Sequence, residues 1–243
     1  MPVKTNFGAV AQIYDNARPP YAKELMDYVA SFCQEKRVLD MGCGTGIATR
    51  QLAERAVHVV GCDGDGRMIA VARSHQQPSI DYVVAPADSL PFGDQAFDAV
   101  TAFTAFHFFY DPASVAGVQR VMKKNGLFIV AEGIKNHNEQ DYFKVCVEEV
   151  ITDKLSKRNG INVDEIYKTS GLERIARQEF QYELQYSVEK YLLYMQSRSY
   201  WNDVPMNQRQ MVLDHVRRCF NEKYPDNRVP VPRHYVVVVG RLV

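Results

Sequence analysis

The chain of 243 residues has no net charge, few cysteines, one tryptophan and no long apolar run. Basic and acidic residues balance at 29 each. Nothing in that total favours a polyanion, so neither nucleic acid nor an acidic membrane surface is expected as a partner. No stretch approaches the ~20 apolar residues that cross a bilayer. The richest, Ala99 to Tyr110, is interrupted by Thr101, Thr104 and His107. The opening residues MPVKTNFGAV hold no basic segment followed by an apolar core, so no secretory signal is expected and the reading is cytoplasmic. The five cysteines, Cys33, Cys43, Cys62, Cys146 and Cys219, are odd in number, scattered, and without a CxxC pair or metal-ligand spacing. They read as reduced thiols, and no metal is assigned.

What is present is an ordinary globular mixture, 46 % apolar and 24 % charged. The length suits one α/β domain spanning 1–243, with an N-terminal arm over 1–30 and helical cap material within 134–222. Apolar runs alternate with amphipathic segments through the first half, the pattern of repeated βα units. Strands are expected at 37–41 (RVLDM), 57–62 (VHVVGC), 80–85 (IDYVVA), 97–103 (FDAVTAF) and 127–132 (LFIVAE). Helices are expected from 46 to about 55, from 67 to about 75 and over 113–123, with an Asn125-Gly126 turn before the fifth strand. Residues 136–171 then read as polar and helical, 177–186 as a sixth strand, and 188–200 and 206–220 as helices. The run HYVVVV at 234–239 is so rich in β-branched residues that it is expected inside the sheet rather than at an edge. The fold class is therefore α/β, a doubly wound, seven-stranded, mostly parallel sheet with an inserted helical cap.

The segment Val38-Leu39-Asp40-Met41-Gly42-Cys43-Gly44-Thr45-Gly46 carries the functional signal. Three glycines at alternate positions turn a buried strand into a helix. Glycine accepts positive φ there and lets a ligand approach bare backbone. Free N–H groups and the positive end of the helix lie at the same spot. Spacing narrows the ligand: a dinucleotide fingerprint GxGxxG would place glycine where Ile47 stands, and the phosphate loop GxxxxGK is absent. An acid two residues ahead of the first glycine is a poor neighbour for pyrophosphate and a good one for a cation. A second acid, Asp63, ends the next strand, placed to accept both hydrogen bonds of a ribose diol.

VLDMGCGTG is similar to the first motif of class I S-adenosylmethionine-dependent methyltransferases, and the similarity extends along nearly the whole chain. The resemblance implies a Rossmann-like fold with S-adenosylmethionine as cofactor. It sets Gly42, Cys43 and Gly44 beside the methionine part of that cofactor, with Asp40 helping to hold the ammonium group. Asp63 falls on the ribose, Met68 near the adenine and Asp88 on the exocyclic amine, with backbone near Ala87 reading the ring edge. Gly64 and Gly66 depart from the family's more usual Pro-Ser after the second acid. Residues 97–103 look like the fourth motif, ending at Phe103 on the cofactor side, and RVMKKNGL at 120–127 resembles the RVLKPGG turn.

Upstream, Phe7, Ala9, Tyr14 and Arg18-Pro19-Pro20-Tyr21 resemble the arm of the type 11 group of small-molecule methyltransferases, which includes the trans-aconitate methyltransferase-like proteins. By that resemblance Tyr14 covers the cofactor, Arg18 meets its carboxylate and Tyr21 lies with the substrate. His107, in a segment resembling the family's AxHW, is the candidate general base, since imidazole titrates near neutral pH. The cap segment carrying Tyr194, Arg198, Tyr200 and Trp201 resembles the part that faces substrate, where stacking and a bidentate ion pair would grip a flat or carboxylated molecule. The expected reaction is direct in-line methyl transfer to a small-molecule acceptor, for which alignment of two bound reactants supplies ~7–11 kcal/mol. The alternative is a protein that binds the cofactor in a non-methyltransfer or regulatory role.

Overall fold

The computed structural model describes residues 10–56, 58–75, 77–134, 142–151, 167 and 171–243, with Tyr200 as backbone only. An arm helix α1 (Ala11–Ala17) and α2 (Lys23–Ser31) precede β1 (Arg37–Met41). The βα alternation follows: α3 (Ile47–Ala53), β2 (His58–Asp63), α4 (Gly66–Ser74), β3 (Ile80–Val84), β4 (Phe97–Phe103), α5 (Pro112–Val121) and β5 (Met122–Gly133). The remainder holds α6 (Tyr142–Glu148), β6 (Leu172–Tyr186), α7 (Val188–Gln196), α8 (Arg209–Lys223) and β7 (Val229–Leu242).

One seven-stranded sheet has the order β3-β2-β1-β4-β5-β7-β6. The first five strands pair in parallel, whereas β7 runs antiparallel to both β5 and β6. β7 lies between two neighbours, as its apolar run implied. Helix starts follow local chemistry: Asp111 accepts the N–H groups of Ala113 and Ser114 ahead of Pro112, and Ser187 caps α7 through Lys190. Apolar cores fill both faces of the sheet, one including Leu39, Val100 and Phe128, the other Val38, Ala99 and Ile129. A third core, built from α6, α7 and α8 around Phe143, Leu192, Trp201, Val216 and Phe220, takes in Val229 and Val231 of β7 and Ala17 of the arm.

β1 and β4 have the expected bounds, and several other elements differ. β5 begins at Met122 rather than 127. Asn125, at φ 61°, absorbs the irregularity inside the strand, where the register against β4 shifts between Phe97 and Ala99. α7 stops at Gln196, and a 3₁₀ turn over Ser199–Asp203 replaces its expected last turn. β6 and β7 are longer than expected because each supplies the other's ladder from Leu172↔Leu242 to Tyr186↔Val229. β5 accompanies β7 only as far as Tyr235, so the β6–β7 ribbon runs on alone past the sheet and carries the cap core at its end. Residue 57, the first nine residues and most of 136–171 lie outside the described residues. Among the described residues no helix is long and apolar enough to cross a membrane.

Candidate functional site

β1 has β2 on one side and β4 on the other, so the loops leaving β1 and β4 diverge and open a crevice at their carboxyl ends. Gly42, Gly44 and Gly46 line its β1 side at φ +70°, +56° and +80°, the left-handed region that favours glycine. A Cβ on Gly42 would lie 2.7 Å from the Ala105 Cβ and 2.8 Å from the Phe109 ring, so the loop backbone rests against the turn that follows β4. A Cβ on Gly46 would collide with the Tyr82 hydroxyl. Gly44 differs: nothing lies within 4 Å of the position its Cβ would take. Gly46→Ala is accordingly expected to destabilise the fold by about 1–3 kcal/mol, through backbone strain and the clash with Tyr82. A urea midpoint equal to wild type would show that Tyr82 yields.

The two acids are held differently. Asp40 is 1 % exposed and accepts the hydroxyls of Thr49 at 2.6 Å and Thr101 at 3.0 Å. Burial pushes its carboxyl up to about 6 against the pull of those hydroxyls. Its carboxyl is thereby tied to Thr49 of α3 and Thr101 of β4, beneath the start of the glycine loop. Asp63 is partly exposed at the end of β2, where its oxygens accept the N–H of Gly44 and of Asp65, each at 2.9 Å. Burial raises its carboxyl, offset by those two backbone donors. Each oxygen keeps lone-pair capacity for a further donor.

Thr104, just after β4, has φ 49°, a strained conformation for a β-branched residue. Its N–H donates to Ala131 at 2.7 Å and its hydroxyl meets that of Tyr21 at 3.1 Å. The Tyr21 ring packs on Phe103 and Tyr235. His107 lies on the 3₁₀ turn Phe106–Phe108, with Nδ1 3.1 Å and 3.2 Å from the two oxygens of Glu132 at the end of β5. A carboxylate only accepts, so Nδ1 carries the hydrogen and Nε2 is the basic nitrogen. Glu132, 4 % exposed, is a site residue that the sequence reading passed over, although an acid closing an apolar strand was its signal.

The cap meets the arm at Tyr194, which is buried. Its hydroxyl accepts from Arg233 at 2.6 Å and from Arg198 at 2.9 Å, and the guanidinium of Arg18 lies 5.0 Å from its ring centre. Burial alone raises this phenol, but the charges of Arg198, Arg18 and Arg233 outweigh it and bring it down to about 7. Arg18 also donates to the Ser197 hydroxyl at 3.0 Å and lies over Tyr14. Arg233 is the second residue the sequence reading missed. Its Nε and Nη2 are buried without a well-formed hydrogen bond, among the phenols of Tyr194, Tyr235 and Tyr186. Among the described residues neither Arg18 nor Arg233 is paired with a carboxylate.

The other expected site residues scatter more. Asp15 ties the arm to α3 and α4 through Arg50 at 3.4 Å and His75 at 3.0 Å, which holds Tyr14 on that side of the molecule. Cys43 and Gly64 flank the glycine loop and the end of β2; Met68 is buried in α4, Ala87 half-buried, and Asp88 exposed on the turn after β3. Trp201 is buried against Phe143 inside the cap core, so its position is explained by packing. The side chain of Tyr200 lies outside the described residues.

A family model described as a methyltransferase domain matches residues 39–130, the span from β1 to β5. An uncharacterized methyltransferase of Mycobacterium tuberculosis is 27 % identical over 214 residues, 88 % of this chain and 84 % of that protein. Demethylmenaquinone methyltransferase of Paenarthrobacter aurescens is 30 % identical over 140 residues, 51 % of this chain and 54 % of its own. Among solved structures, a candidate type II methyltransferase from Anaeromyxobacter dehalogenans superposes with a TM-score of 0.67 at 20 % identity, covering 93 % of this chain and 98 % of that one, a likeness of fold.

Proposed function

This chain belongs to the class I S-adenosylmethionine-dependent methyltransferases, and on that premise we propose that it methylates, by in-line displacement, a small molecule carrying a carboxylate. The glycine loop suits the cofactor on two counts. Gly44 faces open space that even one added carbon would begin to fill, and the buried Thr45 hydroxyl in the same loop has no partner among the described residues. Gly42, Cys43, Gly44 and Asp63 would hold the cofactor, Asp63 on the ribose, and when bound it supplies a methyl group already activated by its sulfonium.

The reading of the acceptor rests on one observation: Arg18 and Arg233 converge on buried Tyr194, and among the described residues neither is paired with a carboxylate. One phenol, brought down to about 7, is a weak and pH-dependent counter-charge for these guanidiniums, whereas a ligand carboxylate stays charged through the neutral range and gains charge-assisted hydrogen bonds. Arg198 adds a third guanidinium to the same phenol. Held there, the acceptor extends along β7 toward the carboxyl ends of β4 and β5, where Tyr21, Thr104, His107 and Glu132 gather. The chain's remaining work is to align that acceptor and exclude water.

His107 then decides which nucleophiles are served. With Nδ1 fixed on Glu132, Nε2 takes a proton from a hydroxyl or amine acceptor, whereas a carboxylate oxygen needs no base. His107→Ala is expected to slow methylation of a hydroxyl or amine by ~10²–10⁴ and to leave ester formation nearly unchanged. Equal rates for wild type and variant on a hydroxyl acceptor would remove the base role. The function itself is tested by initial rates on pairs of acceptors that differ only in carboxylate against primary amide. Turnover confined to the carboxylates is expected; equal turnover of both would overturn the reading.

A further inference from the structure

The linear spacing of the cysteines gave no metal site, yet packing of α6 on α8 assembles four donors that the methyl-transfer site does not use. Cys146 lies on α6 and Glu149 just beyond its end, while His215 and Cys219 stand one turn apart on α8. The Glu149 oxygen is 2.9 Å from His215 Nε2, and Cys219 Sγ is 3.4 Å from the same nitrogen. Ligand atoms of Cys146, Glu149 and Cys219 all lie within 4.8 Å of one another. In a tetrahedral zinc site with bonds of the usual length, neighbouring ligand atoms are separated by about 3.3–3.8 Å. Three of the donors thus stand within reach of one ion, His215 lies beside two of them and needs only to turn toward Cys146 to complete a tetrahedron, and neither thiol is in a disulfide.

We propose that Cys146, Glu149, His215 and Cys219 form a structural zinc site that staples α6 to α8 at the back of the cap. The donor set selects the metal: two sulfurs and an imidazole favour zinc over calcium or magnesium, and four protein ligands leave no open position for catalysis. Binding breaks the hydrogen bond between Glu149 and His215 and replaces it with two metal bonds. Each thiol forms a metal–sulfur bond and releases its proton to water, with no change of oxidation state. The carboxylate of Glu149 is half exposed, which gives the ion a way in, while Cys146 is buried against the cap core. None of the four touches the glycine loop or the arginines around Tyr194, so the site acts on cap stability and stands or falls apart from the acceptor.

The test uses the full chain, reduced and stripped with chelator. Zinc, titrated against a chromogenic competitor, is expected to bind at one equivalent per chain and to raise the thermal midpoint. Cobalt in its place is expected to give sulfur-to-metal charge-transfer bands and the intense visible absorption of a tetrahedral ion. Cys146→Ser risks the fold, so His215→Gln and Glu149→Gln, both nearer the surface, carry the argument. Each is expected to weaken zinc binding at least about tenfold, and to abolish the thermal shift without lowering the metal-free midpoint. Failure of the reduced wild-type chain to bind zinc, an octahedral cobalt spectrum, or unchanged affinity in both variants would each overturn the site.

Discussion

Arg233→Gln is expected to lower kcat/KM for a carboxylate acceptor by some tens to a few thousand fold, mostly through KM, with cofactor affinity unchanged. The magnitude is that of removing one partner from a buried charge pair, about 2–5 kcal/mol. The same variant carries a second signature. Three guanidiniums bring Tyr194 down to about 7, so on the proposed reading its phenolate and the acceptor's carboxylate compete for the same donors. Its folded-state value lies below the ordinary value of 10.0. Its contribution to stability is therefore complete above that ordinary value and is lost as pH falls through about 7. As Tyr194 takes up its proton, the arginines are released to the ligand. The wild-type KM should accordingly fall as pH drops through 7, while near-ultraviolet absorbance reports the loss of one phenolate. Arg233→Gln should move that phenolate transition upward and flatten the KM profile. A wild-type KM indifferent to pH across this range, with no phenolate signal, would separate Tyr194 from the acceptor.

For Asp63→Ala, a loss of about 1.5–3 kcal/mol in cofactor binding is expected, roughly ten- to 150-fold in Kd. The acid has two tasks, because the oxygens offered to a ribose also anchor the N–H groups of Gly44 and Asp65. Asp63→Asn keeps one acceptor oxygen and should fall between wild type and Asp63→Ala. Calorimetry with S-adenosylhomocysteine reads the difference, and an unaltered Kd in both variants would place the ribose elsewhere. Thermal midpoints within a few degrees of wild type would show that the fold survives the change.

The sheet was legible where burial is two-sided. β1 and β4 hold consecutive buried residues, Val38–Met41 and Ala99–Phe103, mostly apolar, as a parallel strand covered on both faces requires. The glycine loop was legible because residues at positive φ leave a compositional mark. Asn125 misled for the same reason: a residue suited to a turn served as an irregularity within β5. Glu132 had a signal, an acid closing an apolar strand, whereas Arg233 was not legible, since only the long β6–β7 pairing sets it beside Tyr194 of the cap. Asp40 has the residue type that the resemblance implies, while the two threonines that bury its charge come from α3 and β4 and bear no motif. Cys146 and Cys219 meet only through helix packing, which no local spacing announces.

The unaccompanied stretch of the β6–β7 ribbon has a consequence for which molecules can be methylated. Arg233 stands two residues along β7 from Tyr235, and Tyr235 is the last residue of β7 in register with β5. Alternate residues of a strand share a face and are spaced about 6.8 Å apart. If Arg233 holds the acceptor's anion as proposed, the strand becomes a ruler, graduated from the end of the sheet outward, that sets the length an acceptor must have between its anion and its nucleophile. Related chains that carry their arginine one graduation further out, where Val231 stands here, would measure longer substrates with the same cofactor half.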